Sequence, residues 1–153
     1  MEHADGGDIK ARMLAQKGRP FPETQVLDWF VQTCLAIKHM HDRKVLHRDI
    51  KAANIFLTSA GRVKLGDFGI SKTLTETKAA ANTVIGTPYY LSPEMVNSKP
   101  YGYKSDVWAL GVLLYEMCTF KPPFDAKSLH ALGMKIVSGK YAPIGGSYSN
   151  DMR

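Results

Sequence analysis

The residues best able to do chemistry are His47-Arg48-Asp49-Ile50-Lys51-Ala52-Ala53-Asn54, followed after an apolar hairpin-like interval by Asp67-Phe68-Gly69. Together they supply two carboxylates, a lysine and an amide carbonyl, on loops flanking two short strand candidates. Phosphoryl transfer from a nucleotide needs such a set. A carboxylate must accept or orient the proton of the attacking hydroxyl, hard oxygen atoms must hold Mg2+, and a cation must balance charge on the transferring group. An isolated tripeptide of either kind is no more than a surface loop of solvated charges. Both in this order, with strand candidates between them, make that plain reading a poor one.

The elements that must position these residues are partly legible. Residues 55–57 and 63–65 alternate as short strands, with Ser59-Ala60-Gly61 as the turn between them. Residues 9–14 form a weakly amphipathic stretch, and 17–20 a turn. Residues 22–41 are predicted to be a helix, with Pro22 in its first turn, Glu23 at the positive end of the dipole, and Leu27, Phe30, Cys34, Ile37 and His41 at helical spacing. Residues 70–100, rich in Thr, Ala, Ser and Pro, read as one long irregular loop. Ser105-Asp106 is expected to cap a helix running to about Cys118 that is apolar on nearly every face and therefore central to a core. A further helix is predicted over 127–137, with Gly139 placed to end it.

Composition narrows the function classes. The 153 residues are 44% hydrophobic and 22% charged, ordinary values for one globular domain. The longest apolar run, Val107 to Tyr115, is too short to span a bilayer, and the first residues carry no secretory pattern, so no membrane association is expected. The two cysteines, Cys34 and Cys118, read as buried thiols of a reducing compartment, which makes the expected location the cytoplasm or nucleus. The net charge of +6 is spread in ones and twos, with Arg43-Lys44 the one adjacent basic pair, so nucleic acid is not an expected partner. His39 and His41 lie on different helix faces, which disfavours a metal site there. Trp29, Trp108 and the methionines sit at core spacing.

The motifs resemble those of the protein kinase family. The catalytic loop matches H-R-D-L-x-x-x-N with Ile50 in place of Leu, and D-F-G is intact. The resemblance implies that Asp49 is the catalytic base, that Asn54 and Asp67 ligate Mg2+, and that Phe68 packs beneath the site. It implies that Lys51 lies near the γ-phosphate, as in serine/threonine rather than tyrosine kinases, and that Phe56 packs under adenine. Gly86-Thr-Pro-Tyr-Tyr-Leu-Ser-Pro-Glu94 resembles the end of an activation segment, with Ser92-Pro-Glu for the commoner A-P-E. Thr87 would then bond to the catalytic aspartate and lysine. Thr83 would be the activating phosphosite, received by Arg48 and Lys72. His47 would be a packing residue. Asp106, besides capping its helix, would bond to the catalytic-loop backbone.

Within that family the likeness is to the NIMA-related kinases, through Met1-Glu-His-Ala-Asp-Gly-Gly-Asp8, Ile55-Phe-Leu57, Val63-Lys-Leu-Gly-Asp-Phe-Gly-Ile70 and Lys104-Ser-Asp-Val-Trp-Ala-Leu-Gly111. Met1 to Asp8 would be the hinge, with Glu2, Ala4 and Asp8 beside ATP. The implied fold is α+β, mostly α: the C-terminal lobe of a kinase over residues 1–153, with small β-hairpins by the catalytic loop. The implied function is transfer of the ATP γ-phosphate to Ser or Thr of protein substrates with an apolar residue shortly before the acceptor. A regulatory protein partner and a centrosomal or ciliary location are compatible with this. On this reading the glycine-rich loop, the strand lysine and the last helices are missing. The isolated chain is then expected to be inactive, Glu94 to lack its arginine, and Phe56, Leu57 and Phe68 to be exposed. The alternative is a truncated, non-catalytic kinase-like binding module, which has no physical need for Asp49, Lys51, Asn54 and Asp67 all at once.

Overall fold

The structure is a computed structural model that describes residues 4–66 and 88–152. Five α-helices and a two-stranded antiparallel sheet make up the regular structure among these residues. None of the described helices is long and apolar enough to cross a membrane.

The chain begins as an extended strip laid against the hairpin. The hairpin pairs β1 (Ile55–Leu57) with β2 (Val63–Leu65), in the register Ile55↔Leu65, Phe56↔Lys64 and Leu57↔Val63. Its turn is closed by Gly61, which adopts a positive φ of 76° and donates to the Thr58 carbonyl. Gly6 N–H donates to the Leu57 carbonyl, and Leu57 N–H donates to the Gly7 carbonyl, both at 2.8 Å. A Cβ on Gly6 would stand 2.6 Å from the Leu57 oxygen, so only glycine lets the strip come this close. The strip buries Leu57, contrary to its expected exposure, while Phe56 is half-buried.

Residues 9–14 prove to be a helix rather than a merely amphipathic stretch. This is α1 (Ile9–Ala15), capped by Asp8, whose Oδ1 accepts from Ala11 N–H at 2.8 Å. It buries Ile9 and Met13 and stops at two positive-φ residues, Lys17 and Gly18.

The helix α2 (Glu23–Asp42) starts one residue after Pro22, and its buried face is rotated from the expected one. Val26, Trp29, Thr33, Ile37 and Met40 point inward, while Leu27 is exposed and Phe30, Cys34 and His41 are half-buried. A polar residue can occupy the core stripe because Thr33 Oγ1 donates to its own helix, at the Trp29 carbonyl. Phe21 packs edge-on against both Trp29 and Phe120 and closes this end of the core.

The expected irregular loop over 70–100 contains order at its far end: a 3-10 turn Pro88–Tyr90 and α3 (Pro93–Val96), which Pro93 opens. Residues 67–87 lie outside the described residues. The central helix α4 (Tyr103–Thr119) begins at Gly102, three residues earlier than expected. Asp106 is therefore not its N-cap; it lies inside the first turn, buried. The helix also has an outer face, on which Val107 is exposed. It ends where Phe120 adopts the left-handed conformation and donates to the Glu116 carbonyl. The last helix, α5 (Leu129–Ser138), starts two residues later than expected because Ser128, whose Oγ accepts from Ala131 N–H, caps it; Gly139 ends it as expected.

The main core lies between α2, α4 and the hairpin, with Ile37, Ile50, Ile55, Leu113 and Met117 all but inaccessible. Phe124, Leu132 and Ile136 form a second cluster under α5. Cys118 is buried but Cys34 is only half so, and Met95 and Met134 are exposed rather than core.

Candidate catalytic loop and its anchors

The loop between α2 and the hairpin is shaped by one buried carboxylate. Asp106 is fully inaccessible. Its Oδ2 accepts from His47 N–H at 3.0 Å and stands 2.7 Å from His41 Nε2. Its Oδ1 accepts from Arg48 N–H at 3.1 Å and from the Tyr101 hydroxyl. Burial pushes this carboxyl upward, but the Tyr101, His41 and two backbone donors outweigh it and hold Asp106 below its ordinary value. The two amide bonds fix Arg48 at φ 68°, a left-handed conformation that a long side chain rarely adopts unless something holds it. The next residue is Asp49. His47 is buried, and burial pushes its imidazole toward the neutral form, as suits the packing role expected of it.

Past that bend the loop brings three of the sequence-assigned residues together. Lys51 Nζ donates to Asp49 Oδ2 at 2.8 Å. Asn54 Nδ2 donates to the same oxygen at 2.7 Å and to the Asp49 carbonyl at 2.8 Å. The amide nitrogen of Asn54 is thus spent on Asp49, which leaves its Oδ1, the only atom of an amide that binds a cation, uncommitted among the described residues. Asn54 itself is buried and ends a 3-10 turn, Ala52–Asn54, from which the chain passes directly into β1. Gly66 N–H donates to the Asn54 carbonyl and so carries the end of β2 back to the loop. A Cβ at Gly66 would lie 2.1 Å from Phe56 Cε2, so the Phe56 ring lies over the residue that leads into Asp67.

The other assigned residues divide between the described and the undescribed. Ala4 lies at the start of the described residues, and Asp8 bridges Phe56 through the backbone while its Oδ1 caps α1. Arg48 is in the loop, its backbone held as above. Glu2, Asp67, Phe68, Lys72, Thr83 and Thr87 lie outside the described residues. Glu94 is not left alone: Ser105 Oγ donates to its Oε1. Burial pushes the Glu94 carboxyl up, but this hydroxyl and further hydrogen bonds prevail and keep it below its ordinary value.

Four residues near the loop were missed in the sequence. His41 and Tyr101 complete the Asp106 cage. Tyr90 accepts from Ala52 N–H at 3.2 Å and donates to Glu116 Oε2. Burial and then the Glu116 carboxylate push the Tyr90 phenol far above its usual range, so it remains a donor. The available signal was Glu116 itself, a carboxylate closing an apolar run inside a core helix, where an ionised side chain requires partners. A cavity of about 110 Å³ opens beside this group, between Arg48, Asp49 and Ile50 on one side and Tyr90, Met95 and Tyr101 on the other.

Comparison with known proteins agrees with the geometry. The protein kinase domain model matches residues 1–144. Similar proteins include serine/threonine-protein kinase Nek1 of Mus musculus, 58% identical over 153 residues. Serine/threonine-protein kinase Nek5 of Homo sapiens is 53% identical over 153 residues, and serine/threonine-protein kinase Nek3 of Mus musculus 51% over 149. These alignments take in 100%, 99% and 97% of the chain but 13%, 22% and 29% of the respective relatives, so the chain spans less than a third of each. The chain belongs to the protein kinase family, in its NIMA-related serine/threonine branch.

Proposed function

We propose that the protein carrying this chain transfers the γ-phosphate of ATP to serine or threonine hydroxyls of other proteins, and that the described residues belong to the larger, mostly helical lobe of its kinase domain. The observation that carries the reading is the shared grip of Lys51 and Asn54 on Asp49 Oδ2, on a loop whose backbone is bent into place by Asp106. Asp49 would take the proton of the acceptor hydroxyl as its oxygen bonds to phosphorus. Lys51, already within reach of that carboxylate, would set its charge against the transferring group.

Kinases of this family use ATP with Mg2+, which supplies charge neutralisation between the phosphates. The residues present fit the metal in part: Asn54 offers an amide oxygen that is uncommitted among the described residues, a hard ligand suited to Mg2+, and Asp67 would be its companion. Asp8 bridges Phe56 at one edge of the hairpin, which supports the assignment of these two residues to the nucleotide side; Ala4 and Glu2 are proposed to join them. Thr83 is proposed as the activating phosphosite with Arg48 and Lys72 receiving the phosphate, and Thr87 as the residue that ties the activation segment to Asp49 and Lys51. The relatives' names support proteins as the substrates.

The test is incubation of the full-length protein with labelled ATP, Mg2+ and a general protein substrate, followed by identification of the phosphorylated residue. Label on serine or threonine is expected. Label on tyrosine alone, or none under conditions where a related kinase is active, would overturn the reading.

A further inference from the structure

Glu116 presents a problem that only a residue far away in sequence resolves. Its side chain is 7% exposed, in the last turn of an apolar helix, and each oxygen has its own partner. Oε2 accepts from Tyr90, while Oε1 accepts from Lys10 Nζ at 2.7 Å. Lys10 lies on α1, two residues after Asp8, and its own side chain is 47% exposed. An ordinary surface ion pair contributes little, but this one differs because one partner is nearly buried. Removing the lysine leaves one oxygen of a nearly buried carboxylate without its partner, which is costly.

Tyr90 connects that carboxylate to the catalytic loop. The 3-10 turn Ala52–Asn54 has no cap from its own preceding residue, Lys51, whose side chain is engaged with Asp49. Its first amide, that of Ala52, donates instead to Tyr90. A hydroxyl that donates to a carboxylate is turned so that its lone pairs can face a second donor, and each bond polarises the next. The chain of contacts therefore runs from Lys10 through Glu116 and Tyr90 to the backbone between Lys51 and Asn54.

We propose that Lys10 is a positioning residue for phosphotransfer, which by neutralising Glu116 keeps Tyr90 bonded to the Ala52 amide and so holds Lys51 and Asn54 around Asp49. This rests on the kinase reading for its catalytic consequence, though not for the contact itself. It also makes the helix that follows the nucleotide-side strip sense, and stiffen, the loop that carries the base.

Two readouts on the full-length protein test it together: steady-state kinetics, and hydrogen exchange at the Ala52 amide. Lys10→Met is expected to lower kcat about tenfold with KM for ATP within about twofold, and to speed Ala52 exchange by a similar factor. Lys10→Arg should restore most of both. Tyr90→Phe should lose at least as much, and the double variant Lys10→Met/Tyr90→Phe no more than Tyr90→Phe alone, because both act through one contact. Wild-type kcat and exchange in Lys10→Met, or losses that multiply in the double variant, would overturn the proposal. Full activity in Asp49→Asn would instead overturn the kinase assignment of that residue, and the exchange result would still decide the role of Lys10.

Discussion

At the scale of the residue, Lys51 and Asn54 meet on one oxygen of Asp49, while Asp106 holds the backbone just before it. Asp49 was legible in the sequence because its neighbours Arg48, Lys51 and Asn54 fall at fixed offsets. Its anchoring was only half legible. Asp106 was correctly linked to the loop backbone by resemblance, yet as an ordinary N-cap it would have sat at the helix end, and it lies inside the helix instead. His41 and Tyr101 gave no signal, because nothing in a linear pattern shows that a histidine, a tyrosine and an aspartate from three segments share one buried point. The same holds for Gly66, whose need for a bare backbone appears only once the Phe56 ring lies on it. Gly66→Ala is expected to drive that ring aside and, if Phe56 supports adenine, to raise KM for ATP several-fold, on the order of 1 kcal/mol, with a smaller effect on kcat. Steady-state kinetics at varied ATP would check this, and an unchanged KM would remove Phe56 from the nucleotide site.

At the scale of the element, the chief device is a helix that holds a loop. The first turn of α4 supplies Asp106, and its last turn supplies Glu116, so one helix holds the candidate catalytic loop at two points, the second through Tyr90. Sequence periodicity found this helix and its central burial, but placed its start late because Gly102 carries no side chain to announce a cap. In α2 the same reasoning chose the wrong stripe, since it counted Leu27 and passed over Thr33, a polar residue whose hydroxyl is satisfied within the helix. The hold of α4 on the loop has a pH consequence. A carboxyl kept below its ordinary value, 3.8, in the folded state contributes stability that is fully present above that pH and is lost as the pH falls through the lower folded value. Asp106→Asn should therefore cost about 3 kcal/mol at neutral pH, through unmatched buried donors, and flatten the acid side of the stability profile below about pH 4. Denaturant unfolding across pH would show it; parallel profiles for variant and parent would contradict the assignment of Asp106 as the loop's anchor.

At the scale of the whole molecule, two clusters hold the site from below. The larger unites α2, α4 and the hairpin, and the smaller seats α5 against Trp108, which stacks on Phe124. The far end of the chain is tied back to the start of α2, where Glu23 accepts from the Ser149 backbone and hydroxyl and Tyr148 donates to the Phe21 carbonyl. Such a long-range lock was beyond sequence reading, because the tail carries no periodic pattern. The mostly helical class was readable, because long apolar periods outnumber the two short strands. Leu113 is inaccessible at the centre of the larger cluster, and Leu113→Ala is expected to lower stability by about 3 kcal/mol, seen as a fall in Tm of several degrees. A shift within experimental error would mean that the core lies elsewhere.

The proposed role of Asp49, held by Lys51 and Asn54, is to serve protein phosphorylation. Its most direct test compares the full-length protein with its Asp49→Asn variant for transfer of labelled phosphate from ATP to a protein, with circular dichroism confirming that both are folded. The account predicts that the variant keeps its fold and nucleotide binding while transfer falls by about a hundredfold or more. A folded variant that transfers phosphate as fast as the parent would contradict it.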